Sequence, residues 1–306
     1  MSSSKMCFER WSSREYTTWP HQVFQKYNAE LSRMLISHIL AHKYSYHNLG
    51  KVAKWEDPLS AHMPIENSRH LHTFKSVRSW SKSFNDFDNW INLNTVMAMS
   101  SNLETYMSTA IKLALEADVG VLFGASKRID GIEIIKHGGA HPFDFEDKLM
   151  SCTKGDWSSR ISAFERIFGK APEILKNNIS DLERLRKLRN NVGHSFGRDI
   201  QASREHNVID IQDMERLNRN SAMEYQSLIY GVSRAIDRQL LIGHIGEYQT
   251  LFFYHNLRPE LNHHETDYNY RLGVNVWRLK KALGQFGAQK AGKKFCKELI
   301  EYYEGI

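Results

Sequence analysis

Residues 86–118 read DFDNWINLNTVMAMSSNLETYMSTAIKLALEAD. Leu93, Met97, Ser100, Glu104, Met107, Ile111 and Ala114 recur at intervals of three or four, and Val96, Leu103 and Ala110 widen the stripe. That period belongs to an amphipathic helix with one face turned to a core. Asn85, Asp86 or Asp88 supplies a side-chain acceptor for its start. No stretch of the chain shows the two-residue alternation of a half-buried strand. The fold class read from the sequence is therefore all-α.

The same pattern continues on both sides. Residues 1–19 are Ser-rich and read as loose. Val23, Tyr27, Leu31, Met34 and His38 mark one face of a first helix, and residues 49–79, with Pro58 and Pro64, read as loop with a short helix. Gly120, Gly124, Gly131, Gly138 and Gly139 break up residues 119–155, which read as an irregular connection. Helix resumes at Trp157, with Ile161, Phe164 and Phe168 inward and Gly169 as its stop. Beyond Pro172, Ser180 and Glu183 form a capping-box pair. Leu182, Leu185, Leu188 and Val192 then line one face up to a stop at Gly197. A long helix over 212–245 is expected to bury Met214, Leu217, Ala222, Tyr225, Leu228, Ile229, Val232, Ile236 and Leu240. A break around Pro259 precedes two tail helices, about 270–283 and 288–304, joined by GQFG.

The chain of 306 residues is 41% hydrophobic and 25% charged, a globular composition. No run approaches the eighteen or so apolar residues of a membrane span, and the start MSSSKMCFERWSSREY lacks the apolar core of a signal peptide. Cys7, Cys152 and Cys296 are lone and odd in number, so neither a disulfide framework nor a thiolate zinc site is expected, and the reducing cytoplasm is the expected compartment. The net charge of +6 is unevenly placed: Tyr268–Lys297 holds eight Lys or Arg and no Asp or Glu, while the remainder holds 33 basic against 35 acidic residues.

Chemistry concentrates in LRKLRNNVGHSFGR, residues 185–198. On a helical wheel with Leu188 at the origin, Arg189 falls at about 100°, Arg186 about 160°, Asn190 about 200° and His194 about 240°. Leu185, Leu188 and Val192 take the core side. An imidazole moves protons near neutral pH, and an Arg fork holds a phosphate and the charge that builds on it. An Asn four residues before the His can orient the ring. These are the parts for metal-free RNA cleavage, in which the 2′-hydroxyl attacks the adjacent phosphate; only RNA offers that hydroxyl. One helix supplies one His, and two copies across a two-fold axis would supply both a base and an acid. The same residue types also suit a solvated helix end, where cations favour the dipole.

Arg189-Asn190-Asn191-Val192-Gly193-His194 matches the Arg-Asn-x-x-x-His signature of HEPN domains. The resemblance spreads to GDWSSRISAFERIFG and the long helices on either side, about residues 80–250. It implies a four- or five-helix bundle; residues 1–79, read as an N-terminal helical or irregular extension, and 251–306, read as a basic C-terminal helical hairpin, lie outside the resemblance. It further implies a metal-independent endoribonuclease of prokaryotic defence or toxin–antitoxin systems, active as a homodimer, with Arg189 and His194 acting in cleavage and Asn190 supporting them. A non-catalytic module of the same fold, binding RNA, a nucleotide or a partner protein, is the alternative.

Arg186 and the tail lysines Lys280, Lys281, Lys293 and Lys294 are candidate RNA contacts, with Tyr268, Tyr270, Trp277, Phe286 and Phe295 interleaved. An acidic partner such as an antitoxin would answer the same charge. Equally, the tail could be a hairpin with solvated lysines and packed aromatics, Trp277 and Phe295 among the packed ones. His263, His264 and Glu265 are adjacent and lack a spaced second pair, His137 and His141 read as loop residues, and Gly120 and Gly124 lack a following Lys-Ser/Thr. No metal and no cofactor is expected.

Overall fold

The computed structural model describes residues 9–63, 73–136, 142–201, 205, 212–286 and 291–304. It is all-helical: among the described residues no strand forms, and the β-type pairing is the isolated bridge Asp118–Asp130. His137 and His141 lie outside the described residues. The chain divides into two compact units. One is Met1–Val23, Thr105–Asn177 and Val232–Ile306; the other, which carries the Arg-Asn-x-x-x-His segment, is Phe24–Glu104 and Asn178–Gly231.

The motif-bearing unit is built from parts of three long helices and one shorter one. Helix α1 is Trp19–Val52 and α2 is Val77–Ala117. Most of the α2 stripe is buried as the periodicity predicts, with Leu93, Val96 and Leu103 at most 1% exposed, while Met97 and Glu104 are half-buried. Yet α2 starts nine residues before 86, because the polar residues taken as caps are held by neighbours instead. Asp86 pairs with Arg216 at 2.8 Å, and Asp88 with both Arg219 (2.8 Å) and His38 (2.9 Å). In α1 the inner residues are Phe24, His42 and Leu49, whereas Val23, Tyr27 and Met34 are exposed. The apolar residues on α1 are spread around the helix, and the face that packs is rotated by about one residue from the expected one.

In the other unit, helices α3 (Gly131–Ile135) and α4 (Glu146–Thr153) punctuate the Gly-rich stretch. Helix α5, Trp157–Phe168, is capped by Asp156, which accepts from Ser159 N, and stopped by Gly169 at φ 79°. The one-turn helix α6, Glu173–Asn177, follows. Residues 9–18 are not loose. The buried Arg10 donates to the carbonyls of Ile245 (2.7 Å) and Ala117 (3.1 Å) and pairs with Asp130. Thr18 Oγ1 and the Tyr106 hydroxyl both donate to Asp237, which is buried. Serine content signals solvated chain only when no polar group waits to be satisfied, and here buried backbone and carboxylate groups take the donors.

Helix α7, Ile179–Ser195, carries the motif. Leu182, Leu185, Leu188 and Val192 are buried, worth about 1.5–3 kcal/mol per side chain. The Ser180/Glu183 capping box does not form. Asn178 occupies the N-cap position and makes no side-chain cap, and Glu183 turns to Arg186. The break between α6 and α7 falls at Asn178, so Ser180 is already helical and cannot cap. Helix α8, Arg219–Leu240, starts seven residues later than expected. Residues before it are held non-helical by α2: Asn89 donates to Glu215 O (2.9 Å) and accepts from Leu217 N (2.8 Å), and Asn92 donates to Leu217 O (3.3 Å). A π-helical turn, Leu241–Ile245, follows α8.

The tail has α9 (Tyr248–Leu257), α10 (Tyr268–Leu283) and α11 (Lys293–Glu304), with Gly284–Phe286 a 3-10 turn. Asp267 caps α10 by accepting from Asn269 N and Tyr270 N. No helix of the described residues is long and apolar enough to cross a membrane.

Candidate functional site

Helix α7 ends with Phe196 in the left-handed region (φ 60°) and Gly197 at φ 78°. A Cβ on Gly197 would meet Leu93 Cδ1 at 3.0 Å, and one on Gly193 would meet Met97 Sδ at 3.9 Å. The helix end is therefore seated closely on α2, and the Phe196 ring lies 6.0 Å from that of Trp90. This fixes where the motif side chains emerge.

They do not share one direction. Arg189 turns onto α2 and forms an ion pair with Glu104, whose side chain is 12% exposed. A second amino group of Arg189 donates to Asn190 Oδ1 at 3.0 Å, and its Nε is buried without an acceptor. Asn190 is half-buried and His194 exposed. Asn190 and His194 stand four residues apart on the same side of the helix, so they are neighbours. Arg186 donates to both carboxylate oxygens of Glu183 at 3.0 Å through Nε, and so its charge is partly met within the helix. The motif end thus presents an exposed imidazole, an amide beside it, and a guanidinium held in place from α2. Glu104 is the residue that the sequence reading did not assign to the site; its signal was a carboxylate inside an apolar stripe.

The tail lysines lie in the other unit. Lys280, Lys281, Lys293 and Lys294 are all exposed. Lys294 reaches Glu298 at 3.8 Å, and Lys281 Nζ lies 4.9 Å above the Trp277 ring. Trp277 itself is 61% exposed, against the expectation that it packs. The inner face of α10 is Leu272, Val276, Leu279 and Leu283, and Trp277 follows Val276 by about 100°, which carries it outside. Tyr270, 62% exposed, stands seven residues earlier on the same stripe. Phe295 is buried as expected.

His263 Nε2 donates to Arg258 O (2.7 Å), and among the described residues no group of three or more His, Cys, Asp or Glu is placed to hold a metal ion. Cys152 and Cys296 are buried and unbonded, and burial pushes both thiols up to about 11, away from nucleophilic use. Compared with known proteins, the chain matches no family model, no curated protein and no solved structure.

Proposed function

We propose that this chain is a metal-independent endoribonuclease of the HEPN type, acting as a homodimer in a defence or toxin system. The observation that carries the reading is the end of α7, where His194 is exposed beside Asn190 while Arg189 is oriented by Glu104 from α2. His194 would move the proton of the 2′-hydroxyl or of the leaving oxygen, and Arg189 would stabilise the five-coordinate phosphate. Asn190 would position them. A second copy of α7 would supply the second imidazole. The exposed Tyr270–Trp277–Lys281 stripe on α10 suits stacking and backbone contact with single-stranded RNA.

The test is incubation of purified protein with RNA in EDTA, beside His194→Ala. Products with 2′,3′-cyclic phosphate and 5′-hydroxyl ends are expected from the wild type and not from the variant. Cleavage abolished by the chelator, or retained by His194→Ala, overturns the mechanism. One observation favours a second reading, an RNA- or partner-binding module without catalysis: Glu104 already neutralises Arg189. In that case the wild type binds RNA and leaves it intact.

A further inference from the structure

The motif-bearing unit contains a second feature that the cleavage reading does not use. An open cleft of about 770 Å³ lies where α8 begins, lined by His42 of α1, Asn89 and Asn92 of α2, and Asn218, Arg219 and Glu224. That volume suits a nucleotide-sized ligand. Its lining is dense in amides, with Asn85 and Asn220 also present. Its charges balance: Arg216 and Arg219 stand against Asp88 and Glu224, and the two arginines are paired with Asp86 and Asp88. Recognition here rests on hydrogen bonds and not on net charge.

Two buried side-chain atoms of this lining have no hydrogen-bond partner. Asn92 is 2% exposed; its amide nitrogen holds Leu217 O, and its Oδ1 is unpartnered. His42 is 9% exposed and its Nε2 is unpartnered. Burial holds the His42 ring below its ordinary value, so it is neutral near pH 7. With the ring proton on Nδ1, Nε2 carries a lone pair. The ring is fixed by stacking on Phe84, 4.7 Å away and inclined by 20°. Arg219 adds an unpartnered buried donor, its Nε. Buried polar groups left unpaired cost about 1–3 kcal/mol each, and a ligand that bonds to them recovers part of that cost.

We infer that this cleft binds an unpaired nucleotide whose base carries an exocyclic amine, adenine, cytosine or guanine in preference to uracil. The amine brings two N–H donors in one group to a lining with two buried lone acceptors, while a ring nitrogen or carbonyl of the same base can accept from an Arg or Asn donor. Uracil offers a single N–H. The unpaired state follows from the same edges, since pairing would occupy them. The cleft also stands close to the motif end: Leu93, against which Gly197 packs, is four residues or about 6 Å along α2 from Asn89. As a specificity pocket for cleavage, the inference rests on the endoribonuclease reading; as a nucleotide site it does not.

The experiment measures binding of labelled hexaribonucleotides by anisotropy in EDTA, on full-length His194→Ala protein so that nothing is cut. Hexamers of adenosine, cytidine, uridine and purine riboside (adenosine without its amine) are compared. Adenosine and cytidine hexamers are expected to bind about tenfold or more tighter than the other two. His42→Phe keeps the stack on Phe84 and removes the acceptor, and is expected to bring the four within about twofold. Equal binding of all four by the parent protein overturns the inference, and so does discrimination that His42→Phe leaves untouched. The base comparison needs no cleft variant, so it holds even where a variant fails to fold. AMP that competes at the affinity of the hexamer assigns the site to free nucleotide, and AMP that does not compete assigns it to a residue of RNA. Base discrimination with no EDTA-resistant cleavage by the wild type sustains the cleft and removes the nuclease, so the two failures are distinct.

Discussion

Replacing Glu104 with Gln keeps the side chain's shape and removes the charge that faces Arg189. The two side chains are 12% and 26% exposed, so neither is fully solvated and neither is deeply buried. A unit-charge pair at about 4 Å is worth about 4 kcal/mol at an effective dielectric of 20, before desolvation and ordering are subtracted. Charge-assisted hydrogen bonds net about 1.5–3 kcal/mol. Arg189 retains the Asn190 bond at 3.0 Å. The expected destabilisation is therefore about 2 kcal/mol, read by urea unfolding. A double-mutant cycle with Arg189→Gln should give a coupling of about 1–3 kcal/mol. On cleavage, Glu104→Gln acts through Arg189, so kcat should fall about tenfold. KM for RNA should stay level or fall, because a negative charge beside the phosphate site is gone. A merely structural Glu104 would lower stability and leave kcat per folded molecule unchanged. A coupling below about 0.3 kcal/mol, or an unchanged kcat in a cleaving enzyme, refutes the positioning role.

Other perturbations follow from the same structure. His42 and His21 are both held below the ordinary imidazole value by burial, so between about pH 7 and 5 the unfolded chain takes up protons that the folded chain refuses, and stability falls as pH falls. Glu116 and Glu247, raised by burial, act with the opposite sign above the ordinary Glu value; the specific check is that His42→Phe flattens the acid slope in urea titrations by up to one proton. Gly246→Ala should cost about 3 kcal/mol or more in thermal unfolding, since its φ is 53° and a Cβ would sit 2.5 Å from Arg10 O, whereas Gly243→Ala, with nothing within 4 Å, should stay within about 1 kcal/mol. Changing Lys280, Lys281, Lys293 and Lys294 together to Gln should weaken RNA binding and reduce its log–log salt slope by up to about 3, at about 0.7 per phosphate contact; an unchanged slope makes the tail structural only.

Helix existence was legible because burial imposes a period. The stripes of α2, α5 and α7 appear in the sequence as they appear in the core. Helix starts were less legible, and for one physical reason. An Asp or Asn carries the same hydrogen-bonding groups whether it caps its own helix or holds another segment. Asp86 and Asp88 have the chemistry of caps and instead hold Arg216, Arg219 and His38. Asn89 and Asn92 hold the backbone around Leu217 non-helical where periodicity alone extends α8. Tertiary partners overrode the local signal, which a single sequence does not display.

The site follows the same division. The wheel placed His194 and Asn190 away from the apolar stripe because that is a property of one helix. It left Arg189 at the margin, and the margin is where a second helix decides. Glu104 decides it, and that carboxylate lies 85 residues away in sequence. A motif of three residues thus reads as one constellation in the sequence, while in the fold its cation is governed by α2 and its imidazole by solvent. It follows that Arg189 and His194 should respond differently to change: His194→Ala should leave stability within about 0.5 kcal/mol, as for an exposed residue, while Arg189→Ala should cost more by leaving Glu104 partly buried and unpaired. Equal, small effects on urea unfolding would mean that the Glu104–Arg189 pair holds nothing, and the Arg would then be as solvated as the His.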